Sequence, residues 1–133
     1  MADRNPSDLS LPMQIKYSAW EQGMKQANDD HILTCTRRSQ AEQNALWAEG
    51  RAFENGQWVI VDPHAVRTWT LNSRHLTGDA FDFCIMVNGK PDWAMAHKDL
   101  WDKAIEIGKS VGLSQVVNHN GKVMEFAHLQ EDV

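Results

Sequence analysis

The sequence predicts an α+β fold in which helices pack on a mainly antiparallel sheet. Three observations carry that prediction. Periodic segments follow one another in the order helix, strand, helix, strands, helix, hairpin. Asp79 to Met86 alternates cleanly, as a central strand does, with Phe81, Phe83 and Ile85 on one face and Ala80, Asp82 and Cys84 on the other. The chain has 133 residues, 42% hydrophobic and 23% charged, which suits one domain over 1–133 with a real core and excludes a disordered chain.

Residues 1–10 are polar and proline-punctuated and read as a loose lead-in. From Pro12 to Asn28, Tyr17, Trp20, Met24 and Ala27 recur at three- and four-residue steps, the period of an amphipathic helix. His31 to Thr36 is a short β-prone run. Ser39 and Glu42 form a capping box that starts a second helix, which runs to Trp47 or Ala48 and stops at Gly50. Asn55-Gly56 turns into a strand, Gln57 to Val61, closed by Asp62-Pro63. Residues 64–78 show no period and read as an ordered, extended segment ending in a turn. Asn88-Gly89 is a tight-turn signal after the central strand. Leu100, Trp101, Ala104, Ile105, Gly108 and Val111 mark one face of a third helix, supported by Asp99 and Lys103 four apart and ended by Gly112. The tail, Leu113 to Leu129, reads as a hairpin around Asn120-Gly121.

Composition narrows the function classes. Thirteen basic and 18 acidic residues give a net charge of −5, with no basic cluster longer than Arg37-Arg38, so a nucleic-acid platform is not expected. Two cysteines, Cys35 and Cys84, are too few for a disulfide scaffold. No apolar run approaches the roughly 20 residues that span a bilayer, and no stable membrane association is expected. The N-terminus lacks the apolar core of a secretory signal, which predicts folding in a reducing cytoplasm.

The segment Ser73-Arg74-His75-Leu76-Thr77-Gly78-Asp79-Ala80-Phe81-Asp82 sets an imidazole and a carboxylate seven positions apart. Glu125 and His128 supply a second carboxylate and imidazole three apart. Two histidines and an aspartate would give zinc three ligands and leave its fourth position for water, with Glu125 free as a general base. Spacing alone leaves the alternative open, and favours it: such pairs are more often unrelated surface groups. His31, His64, His97 and His119 receive no functional reading, His119 being the one most easily mistaken for a ligand.

Ser73-x-His75-x-x-Gly78-x-Ala80-x-Asp82 resembles the SxHxxGxAxD motif of the family of zinc D-Ala-D-Ala carboxypeptidases, dipeptidases and L-alanyl-D-glutamate endopeptidases. Glu125-x-x-His128 resembles the family's terminal acid-x-x-His, and Arg37-Arg38-Ser39 with Gln43, Leu46 and Trp47 its R-S-x-x-x-Q-x-x-L-aromatic segment. The similarity runs from about 12 to 130 and is closest to single-domain phage endolysins. It implies a hedgehog/DD-peptidase-like fold, His75, Asp82 and His128 as zinc ligands, and Glu125 as catalytic base and proton shuttle. It places Arg38 as the group that steadies the polarised carbonyl and contacts substrate; an always-charged planar donor suits that task. Ser73 falls beside the first ligand as a substrate contact, with a turn-stabilising hydroxyl as the equal alternative. Gly78 meets a backbone requirement, Asp79 is read as a supporting or surface acid, Trp69 as cleft wall, and Cys84 as a small buried residue. One departure stands out: Gln115 to Asn120 replaces a W-G-G-D-W-like stretch of related endolysins, so that wall of the cleft differs.

The resemblance implies a monomeric peptidase of the peptidoglycan stem peptide, cutting the L-Ala–D-Glu bond. A D-Ala-D-Ala carboxypeptidase or dipeptidase is the runner-up, and a zinc-bearing cell-wall-binding module without turnover the alternative of another class. It also implies a phage lysis protein that waits in the host bacterial cytoplasm and reaches the periplasm and cell wall once the membrane is opened.

Overall fold

The structure, a computed structural model, describes residues 2–68, 70–116, 123 and 126–131. In chain order the elements are α1 (Leu11–Gln26), β1 (His31–Cys35), α2 (Gln40–Ala48), β2 (Arg51–Glu54), β3 (Gln57–Ile60), β4 (Ala80–Val87), β5 (Lys90–Pro91), α3 (Lys98–Ser110), β6 (Leu113–Ser114) and β7 (His128–Glu131). Strands β1, β4, β7 and β6 lie side by side in that order, β5 pairs with the end of β4, and every pairing is antiparallel. Strands β2 and β3 form a separate hairpin. The α+β expectation holds.

The longest strand, β4, organises the molecule. Its Phe81, Phe83 and Ile85 are fully buried and meet Met13, Trp20 and Met24 of α1, Trp101, Ala104 and Ile105 of α3, and Leu129 of β7. Burying one such side chain contributes roughly 1.5–3 kcal/mol, so this face alone anchors the sheet to its helices. Trp20 touches Phe81 and Phe83 at centroid distances of 4.9 and 5.2 Å and spends its indole N–H on the Ala104 carbonyl, locking α1 to α3. Among the described residues no helix is long and apolar enough to cross a membrane.

Local signals act as the sequence predicts at several points. Ser39 and Glu42 make both halves of the capping box. Asn88 and Gly89 both take positive φ, 53° and 76°, turning β4 into β5. Asp92 takes over the start of α3 by accepting from the Ala96 and His97 N–H groups and the Trp101 indole.

Two expectations need correction, and one strand was not foreseen. The lead-in is not loose: Asp3 accepts the Thr36 N–H, Leu9 is 3% exposed, and Ser10 donates its N–H to the Gly78 carbonyl while capping α1. Its few apolar and hydroxyl groups are spent on docking, which composition does not register. Arg51–Glu54 forms the strand that completes the Asn55-Gly56 hairpin, although it carries no clear alternation. Residues 64–78 contain two short 3-10 turns, Pro63–Ala65 and Arg74–Thr77, the second ended by Gly78 at φ 75°. The tail is antiparallel through β6 and β7; the Asn120-Gly121 turn expected between them lies outside the described residues.

Candidate metal centre and cleft

Strand register builds the site. Asp82, on the β4 face opposite the aromatic core, pairs across the sheet with His128 of β7 on one side and Cys35 of β1 on the other. The Cys35 pairing depends on a β-bulge: two residues of β1 advance against one of β4 between Leu33↔Phe83 and Cys35↔Asp82. A regular ladder would set Thr34 there and turn Cys35 to the opposite face. His75 arrives from the Arg74–Thr77 turn, whose N-cap Ser73 accepts the His75 N–H at 3.2 Å. For Ser73 the structure thus shows the turn-stabilising contact.

His75 Nε2 and His128 Nδ1 both lie 3.0 Å from the same oxygen, Asp82 Oδ1, with the two rings edge to face at 4.9 Å. The far nitrogen of each ring has its own partner. His75 Nδ1 meets the Thr36 carbonyl at 2.6 Å, and His128 Nε2 meets Gln130 Oε1 at 3.1 Å. Such outer partners fix ring orientation, as they do around metal-ligating imidazoles. Arg38 stands over the other carboxylate oxygen, Nη2 to Oδ2 3.6 Å. It is held there by Gln43, whose Oε1 accepts from Nη1 at 2.7 Å and whose amide donates to the Thr70 carbonyl. The Arg38 backbone N–H donates to the His75 carbonyl, so the arginine and the imidazole move as one unit.

Burial works against the Asp82 charge, but hydrogen bonds from His128 and His75 hold its carboxyl well below the ordinary carboxylate range. Burial also works against a charged His75, yet its contacts to Asp82 and Cys35 push it up to about 10. The cluster gathers electron-pair donors around a buried carboxylate and calls for positive charge at its centre. A cation accepting lone pairs from the same atoms answers that requirement, so the donor set fits a metal. Cys35, His75 and Asp82 present ligand atoms all within 4.8 Å of one another, a group that can hold one.

Cys35 was missed in the sequence because the bulge that turns it inward has no sequence signature. Cys84 is fully buried, its thiol donating to the Ile85 carbonyl. Asp79 accepts from Ser10 and Thr77 hydroxyls, both at 2.6 Å, and so secures the N-terminal segment. Glu125, Trp69 and His119 lie outside the described residues.

Asp82 and His128 floor a cleft of about 620 Å³, a volume usual for small-ligand sites. Arg38 and, from α2, Glu42, Ala45 and Leu46 line it, together with Phe126 and Trp93, the last 57% exposed. Among the described residues, Trp93 is the tryptophan that lines it.

The fold is one shared by solved peptidases of bacterial cell walls. The crystal structure of Serratia marcescens L-Ala D-Glu endopeptidase ChiX matches with a TM-score of 0.65 at 16% identity, over 98% of this chain and 88% of that one. The LdcB LD-carboxypeptidase matches with a TM-score of 0.67 at 14% identity, over 92% of this chain and 58% of that one. The vancomycin-resistance D,D-dipeptidase VanXYg, solved with a D-Ala-D-Ala phosphinate analogue, matches with a TM-score of 0.58 at 18% identity, over 92% of this chain and half of that one. No protein-family model matches the sequence, and no curated protein matches it. At these identities the likeness establishes the fold.

Proposed function

We propose that this chain is a zinc-dependent peptidase of the peptidoglycan stem peptide and cuts the L-Ala–D-Glu bond. The observation that carries the reading is the meeting of the His75 and His128 rings on one Asp82 carboxylate oxygen, with Asp82 and His128 at the floor of an open cleft. They come from a turn, a central strand and the last strand, and surface groups seldom converge in that way.

His75 through Nε2, Asp82 through its carboxylate and His128 through Nδ1 would hold the ion. When bound, zinc polarises a carbonyl and brings a water to a pKa of about 7. Glu125, three positions before His128, takes the proton of the attacking water and returns it to the leaving amine. Arg38, fixed by Gln43 and charged at all relevant pH, offers its guanidinium to the oxygen that gains negative charge at the scissile carbon. Leu46, Phe126 and Trp93 exclude water and seat the peptide's apolar parts. Glu42 and Glu49 line the same cleft.

Similarity to the endopeptidase ChiX along nearly the full length of both chains supports the L-Ala–D-Glu bond. The likeness to VanXYg keeps D-Ala-D-Ala hydrolysis as the second reading. The protein then acts as a phage endolysin, monomeric, released from the host cytoplasm to the wall when the membrane opens.

Digestion of purified peptidoglycan decides between the bonds. New amino termini on D-glutamate support the endopeptidase, and release of free D-alanine supports the second reading. Glu125→Gln should abolish hydrolysis while stoichiometric zinc stays bound; a variant that cuts as fast as the parent overturns the role of Glu125.

A further inference from the structure

We propose that Cys35 is a fourth donor to the metal, so that the ion sits among a thiolate, two imidazoles and a carboxylate. The inference rests on the metal reading above and extends it to a residue outside the His-Asp-His set.

Three independent features place the sulfur. The bulge in β1 brings Cys35 opposite Asp82, in line across the sheet with His128. The thiol lies within 4.8 Å of the ligand atoms of both His75 and Asp82 while Cys35 is 5% exposed, so the sulfur faces the cluster and not solvent. Arg38 Nη2 also reaches the sulfur, at 3.5 Å.

Coordination exchanges the S–H bond for a sulfur–metal bond and sends the proton to solvent. A thiolate raises the preference for zinc or cobalt over magnesium, calcium or manganese, which favour all-oxygen sites.

Cobalt reports this directly in the full chain. One equivalent of Co2+ added to metal-free protein should give a near-ultraviolet thiolate-to-cobalt charge-transfer band. Cys35→Ser should lose the band and bind cobalt at least about tenfold more weakly, while Cys84→Ser keeps both. X-ray absorption of the zinc-loaded parent should show one sulfur neighbour at about 2.3 Å, a measurement that needs no variant. Cobalt bound with ligand-field bands alone, or zinc without a sulfur neighbour, overturns the role of Cys35 and leaves the three-ligand reading standing. A parent that binds neither ion overturns both.

Discussion

Alanine at Gly78 separates the two demands that the motif glycine meets. The residue sits at φ 75°, where an L side chain costs about 1–2 kcal/mol. A Cβ there would also lie 2.8 Å from the Ser10 nitrogen and 2.9 Å from the Asp8 oxygen, both backbone atoms that cannot swing aside. The N-terminal segment must therefore lift, breaking the Ser10 N–H to Gly78 carbonyl hydrogen bond and exposing Leu9. Unburying that leucine adds roughly 1.5–3 kcal/mol, so Gly78→Ala should lose about 2.5–5 kcal/mol in all. Gly89 is the internal control. Its φ is 76°, and nothing lies within 4 Å of a Cβ built there, so Gly89→Ala should lose only about 1–2 kcal/mol. Urea unfolding of both variants, read by the fluorescence of the six tryptophans, measures the difference at constant slope. Equal losses would refute the claim that the N-terminal segment is part of the folded body.

Asp29 and Trp93 give further tests. Asp29 is 4% exposed with no hydrogen-bond partner for either oxygen among the described residues, and burial, reinforced by Asp99 and Asp30 against His31, pushes its carboxyl up to about 6. The folded chain then binds more protons than the unfolded one between about pH 4 and 6, so stability should fall as the pH rises through that window and level off above it. Asp29→Asn should remove that slope, and urea unfolding at pH 4 to 7 in chelator shows it; parallel curves for variant and parent would count against an unpaired buried carboxyl. Trp93→Ala should lower kcat/KM on peptidoglycan fragments about tenfold through KM, with Trp93→Phe retaining most of it. A loss confined to kcat would remove Trp93 from the cleft wall.

The capping box of Ser39, the face parity of β4 and the Asn88-Gly89 turn were legible because each is a local rule written in adjacent residues. Parity alone turned Asp82 away from the aromatic core, and the structure finds it there beside His75 and His128. Properties that depend on distant pairing were not legible. The β1 bulge inverts the facing of Cys35 through a register shift that no alternation reveals. The docking of residues 3–10 depends on hydrogen bonds to Thr36, Gly78 and Asp79, between 33 and 69 positions away in the chain. Gln43 carried a motif resemblance, but its part in clamping Arg38 required the helix and the Thr70 carbonyl to be seen together.

Because His128 enters on the final strand, the donor row across the sheet has a gap until β7 slots between β4 and β6. Removing β7 would take His128 from that row and, with the same strand, Leu129 from the buried core.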